Sequence, residues 1–164
     1  MGELKLNGMC LYTPNGAARE YAAVGCNFHR GCPYQCQYCF NRTGMTANVM
    51  GIDHAVLDDC FTKDNRRPKK YKNLSGEEYA FVVFKRELEK HIEYFRNTGI
   101  FFSFSTDPLC PDVFGLTWKC VAYVTKEYEI PVKILTKNAD FTAQQMLSFD
   151  LLPVRCRKLV AFGF

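Results

Sequence analysis

The most regular hydrophobic pattern of the chain lies between residues 75 and 99. Apolar residues follow one another there at steps of three or four, which is the period of one helix face. They are Phe81, Phe84, Leu88, Ile92 and Phe95. Ser75 and Glu78 have the spacing of a capping box just before this pattern, and Gly99 stands where a helix would stop. We therefore predict one helix between Ser75 and Gly99.

Continuous apolar runs predict four strands. Such runs, when bounded by Gly, Pro or polar residues, are typical of strands that are covered on both faces. They lie at 21–26, 100–105, 131–136 and 158–164. Further helical patterns predict helices over 114–128 and 142–149.

The polar stretch between the first strand and the first helix has poor periodicity. We interpret residues 43–74 as a loop insertion with one helical turn around 55–61, within a single domain over residues 1–164. The predicted order is strand, loop, helix, strand, helix, strand, helix, strand, which indicates an α/β fold with parallel strands.

Two architectures satisfy this order: a small open sheet, and part of a (β/α) barrel of TIM type. A full barrel typically needs ~250 residues, so about four parallel strands with helices on the outer face would make half of one. The last run, LVAFGF, would leave an apolar strand at the edge of a sheet. We expect either a longer parent chain or a cover for that edge, such as self-association through it.

Composition narrows the class of protein. With 164 residues, 48% of them hydrophobic and 15% aromatic, the chain can bury one core and is too short for two ordinary domains. No apolar run approaches the roughly 18–20 residues that cross a bilayer, and the first residues lack a signal peptide's apolar stretch. We expect a soluble cytoplasmic protein without a membrane partner.

Nine cysteines are many for this length, and three of them, Cys32, Cys36 and Cys39, fall within eight residues. Their number is odd and no export signal is evident, so free thiols that bind metal are favoured over disulfides. A structural zinc site usually takes four ligands, whereas three thiolates on a [4Fe–4S] cluster leave one iron open. A zinc-binding or non-catalytic iron–sulfur module remains the alternative to cluster chemistry.

This Cys-x₃-Cys-x₂-Cys loop after the first predicted strand strongly resembles the radical S-adenosyl-L-methionine (SAM) superfamily. Flanking segments are similar to the branch that contains spore photoproduct lyase and photolyase-like proteins. They are PNGAAREY at 14–21, NFHRGC at 27–32, CFNR at 39–42, SFSTDP at 103–108 and ILTK at 134–137. The resemblance implies a radical SAM core domain that ends half-way round its barrel.

The resemblance also implies roles for individual residues. Cys32, Cys36 and Cys39 would each bind one iron of a [4Fe–4S] cluster, and SAM would chelate the fourth. Contacts to SAM would come from Tyr38, Phe40, Ser105, Thr106, Asp107 and Lys137. Among these, Tyr38 would lie against the adenine, Ser105 and Thr106 would bind the methionyl amino group, and Lys137 the carboxylate. Asp107 either contacts SAM or substrate, or shapes the turn before Pro108.

The chemistry implied is reductive cleavage of SAM to methionine and a 5′-deoxyadenosyl radical, with an electron donor such as flavodoxin or ferredoxin. The lyase returns hydrogen to its product from a cysteine near the end of the second strand. Phe104 occupies that place here, and Cys110, in the following loop, is the substitute candidate for a catalytic residue. A loop cysteine with no role is the alternative.

Charge is concentrated in one segment. The run from Lys63 to Lys72 holds six basic residues and one acidic residue. It is either a solvated loop or a phosphate-binding patch, and the second reading admits a nucleic-acid substrate. Among the scattered cysteines, Cys26 and Cys120 are expected in the core. Cys10, Cys60 and Cys156 are weaker candidates for an auxiliary cluster.

Overall fold

The structure is a computed structural model, and it describes residues 4–39, 41, 52–138 and 143–163. Two-residue strands open the described chain: β1 Leu11–Tyr12, β2 Gly25–Cys26, β3 His29–Arg30 and β4 Val56–Leu57. Longer strands follow: β5 Ile100–Phe102, β6 Val132–Leu135 and β7 Val160–Gly163. The helices are α1 Ala18–Tyr21, α2 Asp59–Thr62, α3 Gly76–Leu88, α4 Ile92–Thr98, α5 Pro111–Glu127, α6 Ala143–Asp150 and α7 Val154–Arg157.

The main sheet is mostly parallel, as the alternation of predicted strands and helices indicates. Its strand order is β1-β2-β5-β6-β7, with β1 antiparallel to β2 and the other neighbours parallel. In register, Gly25 pairs with Phe101, Ile100 with Val132, and Val132 with Val160. The α/β class is thereby confirmed. A small antiparallel ladder joins β3 to β4.

One hydrophobic cluster combines side chains from the sheet with those of α3, α4 and α5. Large members that are almost fully buried are Tyr79, Phe84, Leu88, Phe95, Ile100, Phe102 and Ile134. The burial of β5 on every residue explains its continuous apolar sequence.

The predicted helix between Ser75 and Gly99 is two helices. The capping box forms, because the hydroxyl of Ser75 accepts from the amide of Glu78 and the Glu78 carboxylate accepts from the amide of Ser75. Gly99 ends α4 with φ of 70°, a conformation that suits glycine. The single helix is wrong because His91 leaves helical geometry, with φ of −143° and ψ of 40°, between α3 and α4. Periodicity alone does not register this break, since Phe95 is buried on the second helix as Phe84 is on the first.

The strand predicted over 21–26 is too long. Residues Ala18–Tyr21 form the short helix α1, and Tyr21 is exposed. Only Gly25–Cys26 pair with β5. The strands predicted at 100–105, 131–136 and 158–164 correspond to β5, β6 and β7, each somewhat shorter.

The two later helices lie close to their predicted positions. The helix predicted over 114–128 begins earlier as α5, because Pro111 occupies its first turn, where a missing amide hydrogen costs nothing. The helix predicted over 142–149 corresponds to α6.

The described part of the predicted insertion is more ordered than a loop. It contains β4, α2 and two 3₁₀ turns, Asp64–Arg66 and Lys69–Tyr71. Residues 43–51 of the insertion lie outside the described residues. None of the helices in the described ranges is long and apolar enough to cross a membrane.

Candidate metal and cofactor site

The site candidates gather where three neighbouring parallel strands end. The cysteine loop follows β2 and β3, residues 103–110 follow β5, and residues 136–138 follow β6. Since β2, β5 and β6 are adjacent and parallel, their following loops share one edge of the sheet. Parallel α/β folds place their ligands at this edge.

The start of the cysteine loop is fixed by backbone contacts. Gly31 adopts φ of 79°, and a Cβ there would lie 2.1 Å from Cγ1 of Ile52 and 2.3 Å from the carbonyl oxygen of His54. The amide of Cys32 donates to the carbonyl of Ile52 at 3.0 Å. Glycine at this position therefore allows the loop to pass close to the segment that leads into β4.

Cys32 is hydrogen-bonded to the loop that follows β5. Burial raises the pKa of its thiol, while hydrogen bonds from the backbone amides of Tyr34 and Asp107 lower it. The negative charges of Asp107 and Cys36 raise it further. These interactions place the sulfur of Cys32 between its own loop and the loop carrying Asp107.

All three clustered cysteines are free and partly buried. Within the described residues, no three His, Cys, Asp or Glu side chains converge closely enough to hold a metal ion, so the thiols do not form a ready-made ligand set. The donor set nevertheless fits an iron–sulfur cluster, because three soft thiols with partial access to solvent lie on one short loop. On the neighbouring loop, the buried hydroxyl of Thr106 has no hydrogen-bond partner within the described ranges.

Serine and threonine side chains organise the loop after β5. Oγ of Ser105 donates to the carbonyl of His29 at 2.5 Å, which ties this loop to β3. Oγ of Ser103 donates to the carbonyl of Thr106 at 2.7 Å. Thr106 itself is buried, and its hydroxyl has no hydrogen-bond partner among the described residues.

Asp107 is buried and connects the ends of β5 and β6. Its carboxylate accepts hydrogen bonds from the hydroxyl of Thr136 at 2.8 and 3.0 Å and from the amide of Lys137 at 2.6 Å. The amide of Leu109 donates to the same carboxylate at 2.9 Å. The turn before Pro108 is therefore built around this side chain.

Lys137 and Tyr38 meet at the outer side of the site. Nζ of Lys137 lies 5.4 Å from the centroid of the Tyr38 ring. The pKa of Lys137 is raised, first by a hydrogen bond with Tyr38 and also by the charges of Cys36 and Asp107. Tyr38 is 75% exposed, so a ligand can reach its ring. Phe40, the other aromatic candidate, lies outside the described residues.

Comparisons with models of known families, with curated proteins and with solved structures found no match. The geometry of the described residues is therefore what bears on the site.

Cys110 lies at the inner side of the site, immediately before α5, and its side chain is fully buried. Burial, followed by the charges of Asp107 and Cys32, raises the pKa of its thiol to about 12. The sulfur is therefore protonated at neutral pH. Its catalytic role remains a prediction.

Two polar residues at this edge were not singled out by the sequence. His29 is 5% exposed and its Nδ1 has no partner among the described atoms. Burial lowers its pKa to about 4. Asn41 is buried as well, and its amide donates to the carbonyl of Phe104 at 2.9 Å while Oδ1 has no described partner. The only sequence signal that could have identified His29 and Asn41 as site residues is their position next to the cysteine motif.

The remaining cysteines lie in other surroundings. Cys10 and Cys26 are buried and hydrogen-bonded to each other, and the Cys10 thiol also donates to Glu87 at 3.1 Å. Cys156 donates to the carbonyl of Thr125 at 3.5 Å. Cys26 and Cys120 are core residues, as predicted. The described residues give the auxiliary cluster of Cys10, Cys60 and Cys156 no group of ligands.

The basic segment is anchored rather than freely solvated. Arg67 is 8% exposed, and its guanidinium donates to the carbonyls of Phe61 and Leu74 and lies over the ring of Tyr79. The neighbouring basic side chains are exposed: Lys63, Arg66, Lys69, Lys70 and Lys72.

Proposed function

We propose that the chain is a radical SAM enzyme, or the N-terminal part of one, similar to spore photoproduct lyase. The observation that carries the proposal is the meeting of the cysteine loop with the loops after β5 and β6. The Asp107 amide donates to Cys32, the ring centroid of Tyr38 lies 5.4 Å from Nζ of Lys137, and Cys36 is near enough for its charge to act on Lys137. Residues far apart in the sequence, each assigned to the cofactor by resemblance, are thus neighbours.

We propose further that the sheet is half of a TIM-type barrel. Strands β2, β5, β6 and β7 are parallel and lie side by side in chain order. Successive strands of such a barrel follow one another in the same way, with functional loops at their carboxyl ends. This agreement supports a barrel over a doubly wound sheet, whose strand order reverses.

The cluster would be held by Cys32, Cys36 and Cys39, with SAM as the exchangeable ligand. When bound, the pair supplies reductive cleavage of SAM to methionine and a 5′-deoxyadenosyl radical, driven by a donor of the flavodoxin or ferredoxin class. The chain's part is to bind and orient SAM. Lys137 offers a cation for the carboxylate, and Tyr38 offers a ring for the adenine.

By the resemblance, the hydroxyls of Ser105 and Thr106 would bind the methionyl amino group. They differ in whether they already have a hydrogen-bond partner. The Thr106 hydroxyl is buried without a partner in the described structure, so its hydrogen-bonding capacity is unused. Ser105 already donates to His29 and retains its lone pairs as acceptors. By the resemblance, Cys110, whose raised pKa keeps its thiol protonated beside Asp107 and Cys32, would return a hydrogen atom to a product radical and be left as a thiyl radical.

The test is anaerobic reconstitution with iron and sulfide, followed by SAM and a strong reductant. We expect about four irons per chain, since three thiolates hold a [4Fe–4S] cluster, a brown protein and formation of 5′-deoxyadenosine. Cys32→Ser, Cys36→Ser and Cys39→Ser should each lose the cluster. Cys60→Ser is the matched control, because Cys60 is also a free, partly buried cysteine but lies outside the loop.

A second candidate function is a non-catalytic iron–sulfur or zinc-binding module. It is favoured by the three free thiols of the cysteine loop, which can bind a metal without any contact to SAM. A colourless protein that retains zinc would support the zinc module. A cluster whose electron paramagnetic resonance signal does not change on adding SAM would support the iron–sulfur module. Either result would contradict the enzyme.

A further inference from the structure

We infer that Asp107 is a positioning residue, whose carboxylate holds the backbone at Lys137 in place beside the cysteine loop, rather than a contact to SAM or substrate. This inference rests on the proposed function. It gives Asp107 a role in orienting the cation that meets SAM.

The first argument is the occupancy of the carboxylate. An ionised carboxylate has about four acceptor sites. Oδ1 accepts from the amide of Leu109 at 2.9 Å and from the hydroxyl of Thr136 at 2.8 Å. Oδ2 accepts from the amide of Lys137 at 2.6 Å and lies 3.0 Å from the same hydroxyl. Three donor groups therefore occupy the two oxygens, and since Asp107 is also only 7% exposed, little of the carboxylate is left to face a ligand.

The second argument is what these bonds connect. The carboxylate of Asp107 is attached to the loop after β5 and binds two consecutive residues at the end of β6. The backbone amide of the same residue donates to the sulfur of Cys32. One residue therefore joins the three loops that carry the proposed cluster and SAM contacts.

Bonds next to Asp107 strengthen this connection. The amide of Asn138 donates to Oγ1 of Thr136 at 3.0 Å, and its side-chain amide donates to the carbonyl of Leu109 at 3.0 Å. The turn after β6 is consequently held from both sides, with Asp107 in the middle.

The third argument is the way Lys137 is supported. Its side chain is exposed, and its ammonium meets the ring of Tyr38, which is itself exposed, and the charges of Cys36 and Asp107. Packing around the side chain therefore does little to direct it. Its direction depends on the backbone, and the 2.6 Å bond from the Lys137 amide to Asp107 fixes that backbone.

The variant that tests this bonding is Asp107→Asn. The side-chain amide keeps the size of the carboxylate but has one accepting oxygen instead of two, so it cannot accept from the amides of Leu109 and Lys137 at the same time. Asp112→Asn is the matched control, because Asp112 lies five residues on, is exposed and loses the same charge. On the partner side, Thr136→Ser keeps the hydroxyl that bonds Asp107, and Thr136→Val removes it.

The first readout is amide hydrogen exchange at Lys137 in the full chain without cluster. We expect Asp107→Asn to accelerate it about tenfold, as loss of a charge-assisted hydrogen bond predicts, and Asp112→Asn to leave it unchanged. The second readout is made on reconstituted protein. Asp107→Asn should raise the KM for SAM about tenfold, with iron content and kcat within about twofold of the unmodified protein.

The outcomes separate the inference from the proposed function. If the unmodified protein forms no cluster or no 5′-deoxyadenosine, the proposed function fails, and exchange at Lys137 still tests the hydrogen bond. If Asp107→Asn leaves exchange and KM unchanged, or lowers kcat without raising KM, the positioning role is overturned. Should Asp107→Asn not fold, the two Thr136 variants replace it. Thr136→Val must then accelerate exchange at Lys137 and raise the KM for SAM, and Thr136→Ser must do neither.

Discussion

Gly31 shows at the residue scale how closely the cysteine loop is built against its neighbour. A side chain at this position would be disfavoured twice: by the φ of 79°, and by the two atoms that would lie within 2.3 Å of its Cβ. Gly16 is the matched control, since it has φ of 57° but nothing within 4 Å. We expect Gly16→Ala to lower the free energy of unfolding by about 1 kcal/mol and Gly31→Ala by about 2–4 kcal/mol. Urea unfolding of both variants checks this, and equal losses would mean that the loop moves aside.

His29 should make stability depend on pH. Burial lowers its pKa to about 4 from an ordinary 6.5, so the unfolded chain takes up a proton at a higher pH than the folded one. The free energy of unfolding is then highest above about pH 6.5. It falls by about 3 kcal/mol in all as the pH drops towards 4. Urea unfolding between pH 7.5 and 4.5 should show this loss, and His29→Gln should flatten the curve in that window. An unchanged slope in the variant would show that other groups cause it.

The residues of the site differ in how far sequence could identify them. Cys32, Cys36 and Cys39 are neighbours in the chain, so their spacing is visible without a fold. The bond between Asp107 and Lys137 spans 30 residues, and only the pairing of β5 with β6 creates it. That His29 and Thr106 are buried with polar atoms lacking a partner in the described part of the chain could not be predicted from a motif, because burial depends on the whole fold.

At the scale of elements, local sequence signals predicted where the helical region from Ser75 to Gly99 begins and ends better than they predicted the break inside it. The capping box at Ser75 and the stop at Gly99 are both present, because each is decided by a few adjacent residues. The break at His91 was missed since both helices keep an apolar face towards the same core. In the insertion, Arg67 is held by hydrogen bonds to backbone carbonyls, which leave no hydrophobic pattern in the sequence. The polar composition of this segment therefore predicted only a loop.

Arg67 should hold the basic segment against α3. Its guanidinium bonds two carbonyls and stacks 5.3 Å from the ring centroid of Tyr79. Arg67→Met keeps an apolar stem but leaves those carbonyls without donors, so we expect a loss of about 2–4 kcal/mol in the free energy of unfolding. Arg66→Met, at an exposed neighbour, should change it by less than about 0.5 kcal/mol. If both substitutions have the same small effect on urea unfolding, the contacts of Arg67 contribute no stability.

At the scale of the whole molecule, β7 leaves one side of the parallel sheet open. Within the described residues it pairs with β6 alone. The amides of Val132 and Thr136 donate to the carbonyls of Leu159 and Gly163. In a parallel ladder the bonding residues alternate, so the N–H of Val160 points away from β6. An open edge of this kind is a template for another strand.

We therefore expect the chain to self-associate through β7 as its concentration rises. Val160→Pro removes the outward N–H without touching the ladder to β6, and proline is tolerated on such an edge. Val160→Thr is the control, because it keeps both the shape and the amide. Sedimentation equilibrium should show association of the unmodified chain and of Val160→Thr, and a monomer for Val160→Pro with an unchanged thermal midpoint. Association that survives the proline would place the contact on another surface, and a monomer at every concentration would show that this edge does not recruit a second copy.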